Sequence, residues 1–267
     1  NGQDTLYGNE WIDFSKTYYK IRIADDGVYR ISQPLLAANG LSAVAGSQLT
    51  LWHIGQQIHI YTSTEGLISS TDYVEFWREK NRDEVDRYLF EDASRDNLNP
   101  RYSMFSDTAA YYLSWESSGQ GLRYATLPND LNNLPPKEPY CWQTVEQVYN
   151  SAHSKKKLGD EMTFSWFDGN GFATGGNTLN TSTLNLPKVE PSGPAARATA
   201  RYACGLEEHR QQILLNDSIF AEDEFYNWKI VERSFSVPQI WLLPNTQIKI
   251  NSVLGGNDRN ALALTRV

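Results

Sequence analysis

The chain is predicted to be mainly β: an N-terminal β-rich domain with one short helix, followed by an antiparallel β-sandwich. Three observations carry this. The 267 residues include 8 Trp, 15 Tyr and 10 Phe, side chains that fit a pleated, half-buried surface, yet the mean hydropathy is −0.53 and long apolar runs are missing. Segments such as DYVEFW alternate with a period of two. In the second half, short apolar segments recur at close spacing, punctuated by turn residues. The length suits two domains, each able to bury a core.

In YYKIRIADDGVYRIS, Tyr19, Ile21 and Ile23 share one face. Asp26-Gly27 then reads as a hairpin turn, with Val28, Arg30 and Ile31 on the returning strand. SQPLLAANG supplies a Ser32 cap, Pro34 in the first turn and an Asn39-Gly40 stop, a short helix. QLTLWHIGQQIHIYT gives two strands about Gly55-Gln56. In DYVEFW, Tyr73, Glu75 and Trp77 point one way and Val74 and Phe76 the other. Glu75, Glu79 and Asp83 also fall at helical spacing, but three like charges on one stripe repel and no apolar stripe opposes them, so a strand is the better reading. REKNRDE then reads as an exposed loop, VDRYLF as an ordered segment and Ala110 to Trp115 as an aromatic strand. TLPNDLNNLPPKEPY, dense in Pro and Asn, can hold neither helix nor central strand and marks a boundary near residue 130. The domains are therefore expected at 1–130 and 131–267, the latter a connector plus sandwich.

The sandwich strands are expected at Thr178 to Leu186, Ala195 to Cys204, Gln211 to Leu215, Trp228 to Val237, Thr246 to Val253 and Ala261 to Val267, with a hairpin turn at Asn216-Asp217. The final NALALTRV reads as a strand with no turn after it, as expected of part of a longer protein.

A net charge of −8 argues against nucleic acid as a partner, since phosphate binding needs clustered Lys and Arg, and Lys155 to Lys157 is too short a cluster. No apolar stretch is long enough for a transmembrane helix. The two cysteines, Cys141 and Cys204, form no CxxC motif; they read as two thiols, with one long-range disulfide as the alternative. His53, His59, His153 and His209 make no metal-binding spacing. The acids Glu75, Glu79, Asp83, Glu84 and Asp86 could include a glycosidase pair, but they sit among Arg78, Lys80, Arg82 and Arg87 and read better as a solvated, mutually neutralising rim. A Cys nucleophile with His153 or His209 as base is a weaker reading, because neither cysteine sits on a motif that would lower its thiol pKa. DGNG at Asp168 to Gly171 lacks the ligands of a calcium loop and reads as a glycine turn. Trp142, Trp166, Trp228 and Trp241 could stack on sugars, which makes a secreted carbohydrate-binding or adhesion module the alternative function; strand tryptophans are more often core.

GNEWIDFSKTYYKIRIADDGVYRIS, DYVEFWREKNRDEVDRYLF and NPRYSMFSDTAAYYLSWE resemble, in order and spacing, the N-terminal non-catalytic region of gingipain-like cysteine peptidases, and especially the type IX secretion sortases of Bacteroidetes. The motifs lie at Tyr18 to Ile31, Glu75-Phe76, Asp86 with Tyr88, and Phe105 to Trp115. The match spans most of residues 8–116 and more weakly the rest, where NDRNALALTRV looks like the start of the family's closing strand. Asp83 stands where relatives usually carry glycine, and Asp tolerates left-handed backbone. The resemblance implies an exported, cell-surface, outer-membrane-associated or extracellular protein. Its Cys/His dyad would lie in a downstream peptidase domain of the same polypeptide, itself the expected partner together with secretion-system or cell-surface proteins. No catalytic, cofactor-binding or metal-binding residue carries over to this chain, which by itself is not expected to be an enzyme.

Overall fold

The computed structural model describes residues 8–118, 120–132, 134–154, 157–158, 161–162, 171–205, 208–256 and 258–267. Trp166, residues 168–170 of the glycine turn, Lys155 and Lys156 lie outside the described residues. Two compact units emerge: Asn1–Asn81 with Ser106–Leu134, and Arg82–Phe105 with Pro135–Val267. Residues 82–105, N-terminal in sequence, thus belong with the second unit. Among the described residues no helix is long and apolar enough to cross a membrane.

The first unit holds β1 (Tyr19–Ile23), β2 (Gly27–Ser32), α1 (Gln33–Ala38), β3 (Leu49–His53), β4 (Gln56–Ile58), β5 (Tyr61–Thr62), β6 (Tyr73–Arg78) and β7 (Ala109–Trp115). They form sheets of order β1-β7-β3-β4 and β2-β6-β5. The expected Asp26-Gly27 hairpin is not formed: β1 pairs with β7 and β2 with β6. The reason is that both strands carry an apolar face and the two sheets share one core, built from Ile23, Leu51, Tyr111 and Leu113 of one sheet and Val74 and Phe76 of the other. Residues 24–26 therefore carry the chain from one sheet to the other. The alternation in β6 is as read: Val74 and Phe76 are buried, while Tyr73 and Glu75 are partly open. On the open side Arg30 lies 4.0 Å above the Tyr73 ring and 2.8 Å from Glu75. The β3–β4 turn sits at Ile54-Gly55, both at positive φ, one residue earlier than expected.

Two glycines lie where the backbone leaves no room for a Cβ. At Gly121 it would meet the Leu49 carbonyl oxygen at 2.0 Å, and at Gly46 the Thr64 carbonyl oxygen at 1.8 Å. Gly121→Ala is expected to cost ~1–3 kcal/mol by forcing the strand segments apart. Urea unfolding of the variant measures this, and an unchanged midpoint would contradict it.

The second unit holds α2 (Ala93–Asp96), β8 (Glu146–Val148), β9 (Ala152–Ser154), β10 (Lys157–Leu158), β11 (Glu161–Met162), β12 (Gly171–Ala173), β13 (Leu179–Asn185), β14 (Ala196–Cys204), β15 (Glu208–Leu215), β16 (Ser218–Tyr226), β17 (Lys229–Val237), β18 (Asn245–Ser252) and β19 (Asn260–Arg266). Two four-stranded antiparallel sheets, β13-β18-β15-β16 and β17-β14-β19-β8, enclose Leu184, Tyr202, Ile213, Leu215, Ile248 and Leu262. This is the expected sandwich, with β16 and β8 added. β15 and β16 turn on Asn216 (φ 45°) and Asp217 (φ 69°), the geometry a short hairpin turn requires.

β14 is buried on both faces. Ala198, Ala200, Tyr202 and Cys204 face the sandwich core. On the opposite face Ala203, with Ala263 and Leu264 of β19, packs against Leu98 of the segment 82–105. Small residues on that face let the segment approach, and Arg201 secures it. Its guanidinium, on a residue 6% exposed, donates to the carbonyls of Leu98 and Ser94, at 3.0 Å each, and of Asn97. It also meets Glu232 at 3.0 Å. Asn99, fully buried, completes the docking by donating to the carbonyls of Tyr149 and Phe172.

The expected solvated rim holds only in part. Asp83 pairs with Arg87 at 3.2 Å, but Asp86 is buried, accepting from the Ser103 hydroxyl at 3.1 Å and the Met104 N–H at 2.6 Å. Its carboxylate pins the turn at 103–104, so it points inward. Asp83 adopts no positive φ; its carbonyl accepts the Arg87 N–H and its carboxylate the Asn97 amide.

These carboxylates give the second unit a pH dependence. Hydrogen bonds hold Asp92, Asp96, Glu190 and Glu222 below the ordinary range, chiefly from Ser94, Arg95, Ser192 and Gln212 respectively. Burial holds Asp86 above it. Depressed groups contribute stability above the unfolded value, about 4, which is lost as pH falls through their folded values. The raised Asp86 acts oppositely, favouring the fold as it protonates above that range. Calorimetry is expected to show a small gain in Tm on mild acidification, absent in Asp86→Asn, then a fall below about pH 4.

Candidate functional site

The second unit carries a cleft of about 630 Å³ running along residues 139–145. Its second wall is the loop from Leu186 to Ala195, in which Pro187, Pro191 and Pro194 exclude regular structure and a turn closes with the Gly193 N–H on the Glu190 carbonyl, together with Ala196 and Arg197 at the start of β14. The wall at 139–145 bends at Pro139 and is otherwise irregular and mostly exposed. Val145 exchanges hydrogen bonds with Val267 at 2.9 and 3.0 Å, anchoring the segment beside β19. From Tyr140 to Thr144 the main chain makes no hydrogen bond among the described residues.

Side chains give the cleft its character. Trp142 is 67% exposed and meets Tyr140 edge to face at 6.2 Å. Lys188 and Arg197 are exposed and without a hydrogen-bond or ion-pair partner among the described residues. Glu190 also lines the cleft, but its carboxylate is turned into its own loop by the Ser192 N–H and hydroxyl. Gln239 donates to the Pro194 carbonyl at 2.6 Å, bracing the loop. An apolar floor, stacking rings and two free cations are the features of a binding cleft.

The other residues singled out by sequence are scattered. Cys141 and Cys204 are free thiols, one exposed and one buried, so the disulfide alternative falls. Burial pushes the Cys204 thiol well above its ordinary pKa, which suits an inert core residue. His209 is buried between Asp258, 2.6 Å from Nδ1, and the Gly205 carbonyl, 3.0 Å from Nε2; both nitrogens are engaged and neither can serve a cysteine. Asp258 also accepts from the Gln211 amide and the Arg210 N–H. Gln211 in turn accepts from Ser252 and Asn260, 3.0 and 3.1 Å away. His53 stacks on Tyr111 at 4.1 Å and bonds the Ala110 carbonyl; His59 lies over Tyr124 and His153 against Phe172. Of the four tryptophans proposed to stack on sugars, Trp142 borders the cleft, Trp241 is 43% exposed beside Phe220, and Trp228 packs against the docked face of the second sheet.

The buried His209 and Gln211 had a readable signal. In EHRQQILL they alternate in phase with Ile213 and Leu215, so polar groups occupy inward positions. The cleft had none, because its two walls are more than forty residues apart in sequence.

No family model matches the chain, and no curated protein matches it. Among solved structures, the crystal structure of dimeric latent PorU from Porphyromonas gingivalis aligns over 93% of this chain with a TM-score of 0.52 and 13% identity. The fold is PorU-like. The alignment takes in 24% of the PorU chain, so this chain spans about a quarter of that protein's length. The cycloalternan-forming enzyme from Listeria monocytogenes in complex with a pentasaccharide substrate aligns at a TM-score of 0.28 with 8% identity, over 96% of this chain and 20% of that one. The insecticidal delta-endotoxin Cry8Ea1 from Bacillus thuringiensis aligns at 0.24 with 11% identity, over 83% and 42%. Those two likenesses are too low to inform the fold.

Proposed function

We propose that this chain is a non-catalytic β-rich N-terminal region of an exported gingipain-like cysteine peptidase or type IX secretion sortase, and that it scaffolds or shields the peptidase domain of the same polypeptide. The observation that supports this reading is the PorU-like fold over 93% of the chain, in agreement with the motifs from Tyr18 to Trp115. The geometry is consistent with it: Cys204 is buried and His209 engaged, and the accessible features are a binding cleft and a docked segment.

The test is to express the whole gene product and assay peptide hydrolysis with and without residues 1–267. Activity that rises on removal marks a shield, and activity that is lost marks a scaffold. A gene product without a cysteine-peptidase domain, or one whose activity is indifferent to the removal, overturns the proposal.

A further inference from the structure

We infer that the cleft between residues 139–145 and the Leu186–Ala195 loop with the start of β14 binds an acidic peptide in extended form, which adds as a strand along Tyr140 to Thr144. The site lies wholly within the second unit, and the inference goes beyond the role proposed above without depending on it.

Four observations converge on a peptide. Five consecutive residues, Tyr140 to Thr144, are exposed and lie outside any strand, and their main-chain N–H and C=O groups bond no other described residue. Such a row is a template for β-augmentation, in which main-chain hydrogen bonds supply affinity and alternate side chains enter pockets. Across the cleft, Lys188 and Arg197 have no acidic partner, although the chain as a whole carries a net charge of −8. Glu190, the acid closest in sequence to Lys188, is occupied by Ser192. Two free cations on the lip of an apolar cleft favour Asp, Glu or a terminal carboxylate on the ligand. The volume, about 630 Å³, is in the range of small-ligand sites and holds a few residues of an extended chain. Trp142, exposed and braced by Tyr140, offers a face on which an apolar side chain of the peptide can pack. A saccharide would use Trp142 and the cations but would leave the row of main-chain groups without strand partners.

The experiment uses the chain as described, with a fluorescein-labelled pool of heptapeptides that alternate aliphatic with acidic residues. A matched pool with Lys in place of the acids and polygalacturonate serve as comparisons. Fluorescence anisotropy is expected to show binding of the acidic pool that weakens with salt and falls about tenfold or more in Lys188→Glu/Arg197→Glu. Both substitutions lie on exposed side chains and leave the core untouched. Hydrogen exchange is expected to show new protection of the amides at 140–144 in the complex. No binding of the acidic pool at about 1 mM, equal binding of the Lys pool, binding indifferent to the charge reversal, or binding without amide protection overturns the inference. Binding of polygalacturonate alone overturns it in favour of an acidic saccharide.

Discussion

Arg201→Met is expected to destabilise the second unit by about 3–5 kcal/mol and to expose the segment 82–105 to protease. The guanidinium is the partner of three carbonyls, those of Ser94, Asn97 and Leu98, and of the Glu232 carboxylate. A methionine fills the space but offers no donor, so buried acceptors are left unpaired, each at a cost of about 1–3 kcal/mol, partly relieved by movement of the segment. Two readouts separate local from global effects. Calorimetry is expected to show Tm lowered by roughly 10 °C. Trypsin under native conditions is expected to cut at Arg87 and Arg95 faster in the variant than in the wild type. Arg201→Lys keeps the ion pair but cannot fork to three carbonyls, and is expected to fall between the two. Protease resistance equal to wild type in Arg201→Met would show that Leu98 and Asn99 hold the segment without the clamp.

Asp258→Ala is expected to cost about 3 kcal/mol or more, by orphaning donors inside the sandwich. The carboxylate, 3% exposed, receives His209, Gln211 and the Arg210 N–H. Behind it stand Ser252, Asn260 and Asn180, the last two joined at 2.8 Å. Removing one member of a chain of hydrogen bonds leaves its neighbours unsatisfied, so His209→Ala and Asp258→Ala are expected to be strongly non-additive. A urea-denaturation double-mutant cycle measures this. Additive losses would mean that the two side chains act independently.

How much was legible follows from the range of the interaction. The strand at Tyr73–Arg78 was written in its own alternation, and the hairpin at Asn216-Asp217 in its turn residues; both depend on neighbours a few positions away. The β1–β2 hairpin was misread because a turn-like Asp-Gly between two alternating segments fits a hairpin and a crossing between sheets equally well. The choice was made by partners more than forty residues on, in β6 and β7. Asp86 was placed on a solvated rim because charge in a charged run is usually exposed, and only Ser103 and Met104 explain why it turns inward. The docking of residues 82–105 could not be read locally. Its one trace is ARATARYAC, where Ala occupies both faces of a strand and Arg201, the second of its two arginines, sits mid-strand between small residues on its own face. The cleft is still less legible, because unpaired main-chain groups have no signature in composition.

The Arg201 clamp also sets an order of events during synthesis. Leu98 leaves the ribosome 103 residues before the arginine that receives its carbonyl. At about 5–20 residues per second, that is a wait of roughly 5–20 seconds. Throughout that interval the segment has its strand-flanking neighbours but not the sheet face it covers, while the first unit already has its own sequence complete from residue 134 onward. The early half of the nascent chain can therefore close its core around an excluded loop, and that loop becomes ordered only when β14 arrives.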